Sequence, residues 1–234
     1  MPTISLIIPA YQHARTLPRC LENLLAQTRR PEEIIVVDDG STDGTSEILR
    51  PYAVKVNIIR QENRGSNRAR MNGFAASMGD LICFCDADAL FVPDALETLE
   101  TALQEHPEAS YAYSGFRFGW KRFPSYPFDP TRLREMNYVH TSALIRRDHF
   151  PGFDPTIRRL QDWDLWLTML EQGHRGIFVP RELFKIIDGH GRKGISQWQP
   201  SFLYKIPWRR IGWMPRSIRE YEEAREVVRR KHKI

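Results

Sequence analysis

A chain of 234 residues that is 41% hydrophobic and 27% charged has the composition of an ordinary soluble protein with one substantial core, and no apolar run in it is long enough to span a bilayer. The net charge of +5 is unevenly placed, since 205–234 holds ten Lys/Arg against four Glu and leaves the body near neutrality; this argues against nucleic acid as a partner of the main domain. The chain opens without a basic segment and apolar stretch of the secretory type, so a cytoplasmic location is expected.

Thr3 to Pro9 reads as a first strand, followed by a helix carrying Leu17, Cys20, Leu21, Leu24 and Leu25 at helical spacing, with Thr16 as its cap and Pro18 in its first turn. Ile34 to Val37 form a buried strand that runs into Asp38, Asp39 and the turn Gly40-Ser41-Thr42-Asp43-Gly44. Two adjacent carboxylates are costly to desolvate, so at least one is expected to face a cleft or a donor-rich ligand. Asp43 is assigned a local capping role before a short helix at 46–50.

A strand over 54–60, a loop from Gln61, a small-residue helix over 68–78 and a buried strand over 81–85 continue the alternation. Pro93 then opens a helix with Ala95, Leu96, Leu99, Ala102 and Leu103 on one face. Cys83 and Cys85 are read as facing opposite sides of their strand, and with Cys20 as reduced packing residues.

Beyond about residue 106 the pattern loosens. A strand is expected over 111–118, a long functional loop over the Pro- and aromatic-rich 119–130, a strand over 138–145, and a helix from Asp162 carrying Trp163, Trp166, Leu167 and Leu170. The order of elements predicts an α/β fold, a mostly parallel sheet flanked by helices with a mixed second half. One compact domain is expected over 1–204, with halves of about 1–106 and 107–204, then a basic aromatic tail at 205–234 ending in a helix through Ile218, Tyr221, Ala224 and Val228.

The strand over 81–85 delivers a second acidic pair, Asp86 and Asp88, to the same sheet edge as Asp38 and Asp39. Such a pair can hold Mg²⁺ or Mn²⁺, or simply cap a helix or line a solvated turn.

Five segments in order, at 7–12, 36–45, 62–73, 79–88 and 161–167, resemble family 2 glycosyltransferases, nucleotide-sugar enzymes with the Rossmann-like GT-A fold, over most of 3–196. The resemblance implies that Pro9, Tyr11 and Asp39 surround the base and ribose of the donor, supported by Asp38, with Arg70 and less directly Arg64 or Asn67 near the base or diphosphate. It implies further that Asp86 contacts ribose and metal, that Asp88 ligates Mn²⁺ or Mg²⁺ directly with His190 as a further ligand, and that Asp162 is the general base, where a plain helix N-cap is the alternative. Asp164 is read as a first-turn acid favoured by the helix dipole. Gln161 stands where the family usually has Glu, which bears on acceptor handling.

The implied activity is inverting transfer of a sugar from a nucleoside-diphosphate sugar, a UDP-sugar first, to a glycan or lipid-linked acceptor in cell-surface polysaccharide, lipopolysaccharide or other glycan synthesis. The tail could touch an anionic membrane surface or pack as a helix on its own domain or on a second subunit. A catalytically silent sugar-binding protein and a nucleotidyltransferase are the alternative classes; the second should carry a Gly-rich phosphate loop where this chain has Ala10-Tyr11-Gln12-His13.

Overall fold

The structure, a computed structural model, describes residues 1–187, 206, 208 and 213–234. Its first half alternates as the sequence predicts apart from one unforeseen short strand, β5: β1 (Ile4–Ala10), α1 (Leu17–Leu25), β2 (Glu33–Asp38), α2 (Thr45–Leu49), β3 (Asn57–Arg60), α3 (Ser66–Ala76), β4 (Leu81–Phe84), β5 (Ala89–Phe91) and α4 (Ala95–Glu105). The second half holds β6 (Tyr111–Phe118), β7 (Lys121–Phe123), α5 (Pro130–Glu135), β8 (Leu144–Arg146), α6 (Gln161–Glu171), β9 (Gly176–Ile186) and α7 (Arg216–His232).

Among the described residues nine strands make one sheet in the order β3-β2-β1-β4-β8-β6-β9-β5, with β7 paired to β6. β1 to β4, β6 and β9 run one way, while β5, β7 and β8 run against them, so the sheet is mixed but mostly parallel. Chain order reverses at β1, which has β2 on one side and β4 on the other. In open α/β sheets the crevice at the carboxyl ends of such strands is where ligands bind.

Burial on both faces explains the unbroken apolar strands. In β2, Ile34 and Val36 join the layer under α1 and α4, whereas Ile35 and Val37 meet Ala69 of α3 on the other side. α3 is small-residue rich because it lies close to the sheet: a Cβ added to Gly73 would fall 2.4 Å from Cγ2 of Ile7 and 3.1 Å from Cγ2 of Val37.

Several expectations need correction. Cys83 and Cys85 lie on one face, not two, since residues two apart in a strand point the same way; both are buried in one cluster with Cys20. Thr16 occupies the N-cap of α1 without a side-chain cap bond, its hydroxyl meeting Nδ1 of His13 at 2.9 Å instead. The Pro-rich stretch after residue 118 is partly ordered into β7, where Phe123 stacks on Phe116 at 4.8 Å between centroids, and into α5, whose cap Asp129 accepts from the Thr131 and Arg132 amides.

The strand expected over 138–145 is reduced to β8. Side chains take the carbonyls that a ladder would have used: Oγ of Ser125 donates to the Tyr138 carbonyl at 2.7 Å and Nε1 of Trp166 to that of Val139 at 2.8 Å. These two carbonyls are thereby satisfied without a ladder, and the segment before β8 stays irregular.

Candidate active site

The loops after β1 and β2 are bonded to each other. The Gln12 amide nitrogen donates to Oγ of Ser41 at 3.0 Å, that of His13 to Oγ1 of Thr45 at 3.0 Å, and that of Ala14 to Oδ2 of Asp43 at 3.0 Å. Asp43 also accepts from the Thr45 amide at 3.1 Å, but the N-cap of α2 is Gly44, so Asp43 closes the turn before the helix and is not its cap. Tyr11 stands exposed on this rim, while Pro9 is half-buried beside Val37 in register.

Asp38 and Asp39 are both buried rather than solvent-facing, 1% and 3% exposed. Protein donors offset the desolvation instead. Asp38 accepts from the Ser41 amide at 2.9 Å and from Oγ of Ser46 at 2.5 Å, which closes the turn after β2. Asp39 accepts from Nε2 of Gln61 at 2.7 Å and from the amides of Arg64 at 2.8 Å and Gly65 at 2.9 Å, which fixes the loop leading into α3. Gly65 turns there with φ +90°, a backbone conformation that side-chain-bearing residues seldom adopt.

α3 links three parts of the edge. Its entry is held by Asp39, Oγ of Ser66 accepts from Nε2 of Gln161 at 3.2 Å, and Arg70, one turn on, donates from Nη2 to Oδ1 of Asp86 at 3.0 Å. Asn67 is a tie within the scaffold, donating to the carbonyls of Asp154 at 2.8 Å and Ile157 at 3.0 Å. Arg64 is a surface residue paired with Glu62 at 3.6 Å.

Opposite Arg70, the other oxygen of Asp86 lies 3.6 Å from Nε2 of His140. The Ser142 amide donates to Nδ1 of His140 at 3.1 Å, which leaves Nε2 as the nitrogen that carries the proton. The ring is held between Phe116 and Phe184, with centroids 4.8 and 5.0 Å away. Burial pushes the pKa of His140 down, against the pull of Asp86 and Asp162.

Asp162 sits in the first turn of α6, after Leu160 in the left-handed region at φ 57°, and its Oδ1 accepts from the Trp163 amide at 3.0 Å. Burial raises its pKa, opposed in turn by the His140 ring, the Asn137 side chain, the Trp163 amide and Arg70. Burial likewise works to raise Asp86, but the charge of Arg70 and its hydrogen bond prevail and hold it low, with a smaller pull from the His140 and His13 rings. This part of the edge thus holds a carboxylate kept ionised by Arg70 and a second whose proton affinity is raised, the separation that acid–base chemistry uses.

His140 is the main residue of this site that the sequence ranks too low, as a weaker candidate than His190. It stands in a stretch without period, and its carboxylate neighbours are remote along the chain, so spacing carries no signal for it. The departure at Gln161 has a structural reason: its amide donates to Oγ of Ser66 and, at 3.0 Å, to the Arg158 carbonyl, bonds that a glutamate could not donate. Asp164 is a first-turn acid of α6, as read, and is also buried, 3% exposed, held by Lys231 and His232 of α7.

Asp88 is half-buried two residues beyond Asp86, its carbonyl accepting from the Ile187 amide at 2.9 Å. Among the described residues no cluster of three His, Cys, Asp or Glu forms a metal cage. Two carboxylates on one strand end nevertheless suit a hard cation that takes its other ligands from phosphate and water, as Mg²⁺-type sites do. His190 lies outside the described residues. No helix among the described residues is long and apolar enough to cross a membrane.

The "Putative glycosyltransferase EpsE" of Bacillus subtilis (strain 168) is 28% identical over 202 residues, spanning 79% of this chain and 73% of its own length. The "Uncharacterized glycosyltransferase YibD" of Escherichia coli (strain K12) is 35% identical over 149 residues, 61% of this chain but 43% of its own length. The chain spans less than two thirds of most such relatives, for example 62% of an uncharacterized glycosyltransferase of Haemophilus influenzae.

Among solved structures, S. aureus TarS 1-349 in complex with UDP superposes with a TM-score of 0.67 at 19% identity, covering 80% of this chain and 60% of that one. The mannosyltransferase PcManGT from Pyrobaculum calidifontis, in complex with GDP-Man and Mn²⁺, gives 0.66 at 22%, covering 82% and 58%. At these identities the likeness establishes the shared fold alone. The family description "Glycosyl transferase family 2" matches residues 5–160, two thirds of the sequence, and the chain belongs to that family.

Proposed function

We propose that this protein transfers a sugar from a nucleoside-diphosphate sugar to an acceptor hydroxyl with inversion, in glycan synthesis and with a UDP-sugar as the first donor to test. The observation that supports it is that His140 interacts with both Asp86 and Asp162, with Arg70 paired to the first and felt by both. TarS has been solved with UDP and with UDP-GlcNAc, and PcManGT with GDP-Man and Mn²⁺, so both uridine and guanosine donors belong in the test.

In this reading Asp162 takes the proton of the acceptor hydroxyl as it attacks the anomeric carbon, and the raised pKa makes it a stronger base than an exposed aspartate. Attack comes from the face opposite the nucleotide, in one displacement. Asp39, with three donors already on it, has acceptor capacity left for one base N–H, and Tyr11 and Pro9 would flank the base. Arg70 would meet donor oxygens through its remaining N–H groups while keeping Asp86 ionised.

Asp88, with Asp86, would hold Mn²⁺ or Mg²⁺; such a cation, when bound, offsets charge on the departing diphosphate. The deciding experiment is a thermal-shift screen of UDP-, GDP- and dTDP-sugars with Mn²⁺, repeated with a chelator, followed by Asp162→Asn in a nucleoside-diphosphate release assay. Stabilisation by one donor that the chelator abolishes, with binding kept and turnover lost in Asp162→Asn, is the expected result. Near-normal transfer by Asp162→Asn removes it as the base.

A further inference from the structure

α7 lies against the helix that carries Asp162 and is bonded to it through buried charge. Two residues apart on an α-helix face nearly opposite ways, so Asp162 can meet the crevice while Asp164 meets α7. Asp164 receives Nε2 of His232 at 2.9 Å and Nζ of Lys231 at 2.7 Å. Nδ1 of His232 reaches Oε1 of Glu171, two turns further along α6, at 2.8 Å. With carboxylate oxygens on both ring nitrogens and only 2% of the side chain exposed, His232 makes both bonds as imidazolium.

Lys231 extends the connection. Its Nζ also contacts Oδ2 of Asp154 at 2.8 Å, and the Asp154 carbonyl is held by Asn67, whose Oδ1 accepts from Nη1 of Arg70 at 3.4 Å. Nearer the start of α7, Glu220 pairs with Arg159 at 2.8 Å, just before the left-handed turn at Leu160. The irregular segment over 154–160 and the first turn of α6 are therefore gripped from one side by α7 and from the other by α3.

We propose that Lys231 and His232 are positioning residues for sugar transfer: through Asp164 they fix the first turn of α6, and with it the direction in which the Asp162 carboxylate meets the acceptor hydroxyl. The inference rests on the reading of Asp162 as the base. A base displaced by about 1 Å loses roughly two orders of magnitude in rate, so a mobile first turn lowers turnover without touching the donor pocket.

The test uses the full chain and the donor selected by the thermal-shift screen, with release of nucleoside diphosphate as the readout. Lys231→Met and His232→Asn are each expected to lower kcat roughly 10- to 100-fold, to leave the donor KM within about twofold, and to speed amide exchange in the first turn of α6. Lys231→Arg, which restores the charge, is expected to recover most of the rate. Val228→Ala serves as a matched control, weakening the same helix by removing buried methyls while leaving the ionic contacts.

The proposal is overturned if both variants keep kcat within about twofold of wild type, or if Val228→Ala at equal loss of Tm lowers kcat as much. Should His232→Asn not fold, Lys231→Met decides alone, because that ammonium is 35% exposed. A wild-type protein that releases no nucleoside diphosphate from any donor defeats the catalytic reading itself. The exchange rates of α6 then still report whether α7 holds its first turn.

Discussion

Arg70 donates to Asp86 at 3.0 Å from Nη2, yet its Nε, buried in the same crevice, has no hydrogen-bond partner among the described residues. A half-satisfied buried guanidinium has donors to offer a ligand and a carboxylate that keeps it aimed. Phe153 lies under it, 5.3 Å from the guanidinium carbon to the ring centroid, and limits its swing. Arg70→Lys is expected to weaken donor binding about 10-fold or more, since an ammonium reproduces neither the fork nor the stacked plane. Arg70→Ala should also cost about 3 kcal/mol of stability by leaving Asp86 without its main cation. Calorimetric titration with UDP and thermal unfolding measure the two effects separately.

Asp38 and Asp39 make a contrasting pair for substitution. Asp38 is bonded within its own turn, so Asp38→Asn is expected to lower stability by about 1–2 kcal/mol while UDP affinity stays within about twofold. Asp39→Asn replaces one acceptor oxygen by a donor facing the Gln61 amide and the backbone N–H groups of Arg64 and Gly65. It should therefore cost stability of similar size and also lower nucleotide affinity, about 10-fold in the reading where Asp39 accepts from the base. Equal UDP binding by the two variants would remove Asp39 from the donor pocket.

What the sequence disclosed of this fold follows from where its signals are local. β1, β2 and β4 are unbroken apolar runs with turn residues beyond them, and α4 has a clear apolar face, so their existence and order were legible. β5 and β7 have three residues each, too short for a period to show; β5 pairs with β9 far along the chain, and β7 closes a tight hairpin with β6. β9 alternates weakly because its eleven residues change partners along their length and its register with β6 shifts at Gly115. The acidic pairs were visible because carboxylates at strand ends are conspicuous; their burial was not, because it depends on Ser46, Gln61 and Gly65, which arrive from later segments. His140, Lys231 and His232 gain meaning only from partners 22 to 77 residues away, where sequence spacing is silent.

The pH dependence of turnover should report Asp162. Its pKa is raised by burial, so the ionised base is present above that value and is lost as pH falls through it. kcat/KM is expected to rise with pH along an acidic limb placed above the ordinary aspartate value of 3.8. Asp162→Asn should remove the limb together with about 10²-fold or more of the rate. A limb unchanged in a slow but active Asp162→Asn would assign the titration to another group.

Folding stability should carry an opposite signature from the contact between α6 and α7. Burial alone would lower the pKa of His232, but its hydrogen bonds to Asp164 and Glu171, and their charges, outweigh that and raise it above 6.5. The groups facing it are these two carboxylates on α6, with Lys231 beside it also bound to Asp164 and Asp154. Because the folded pKa exceeds the unfolded one, the folded state binds the proton more tightly; the contribution is complete below 6.5 and is lost as pH rises through the folded value. Asp154 works in the other direction at low pH: hydrogen bonding to Lys231 and Thr156 brings it down to about 2, so its contribution is complete above 3.8 and fades only as pH falls toward 2. Between these limits Lys231 and His232 both hold α6. Unfolding of the wild type by urea at a series of pH values is expected to show stability falling on the alkaline side of 6.5, and His232→Asn to flatten that fall. An unchanged slope in His232→Asn would mean that the imidazolium is not what holds the two helices together.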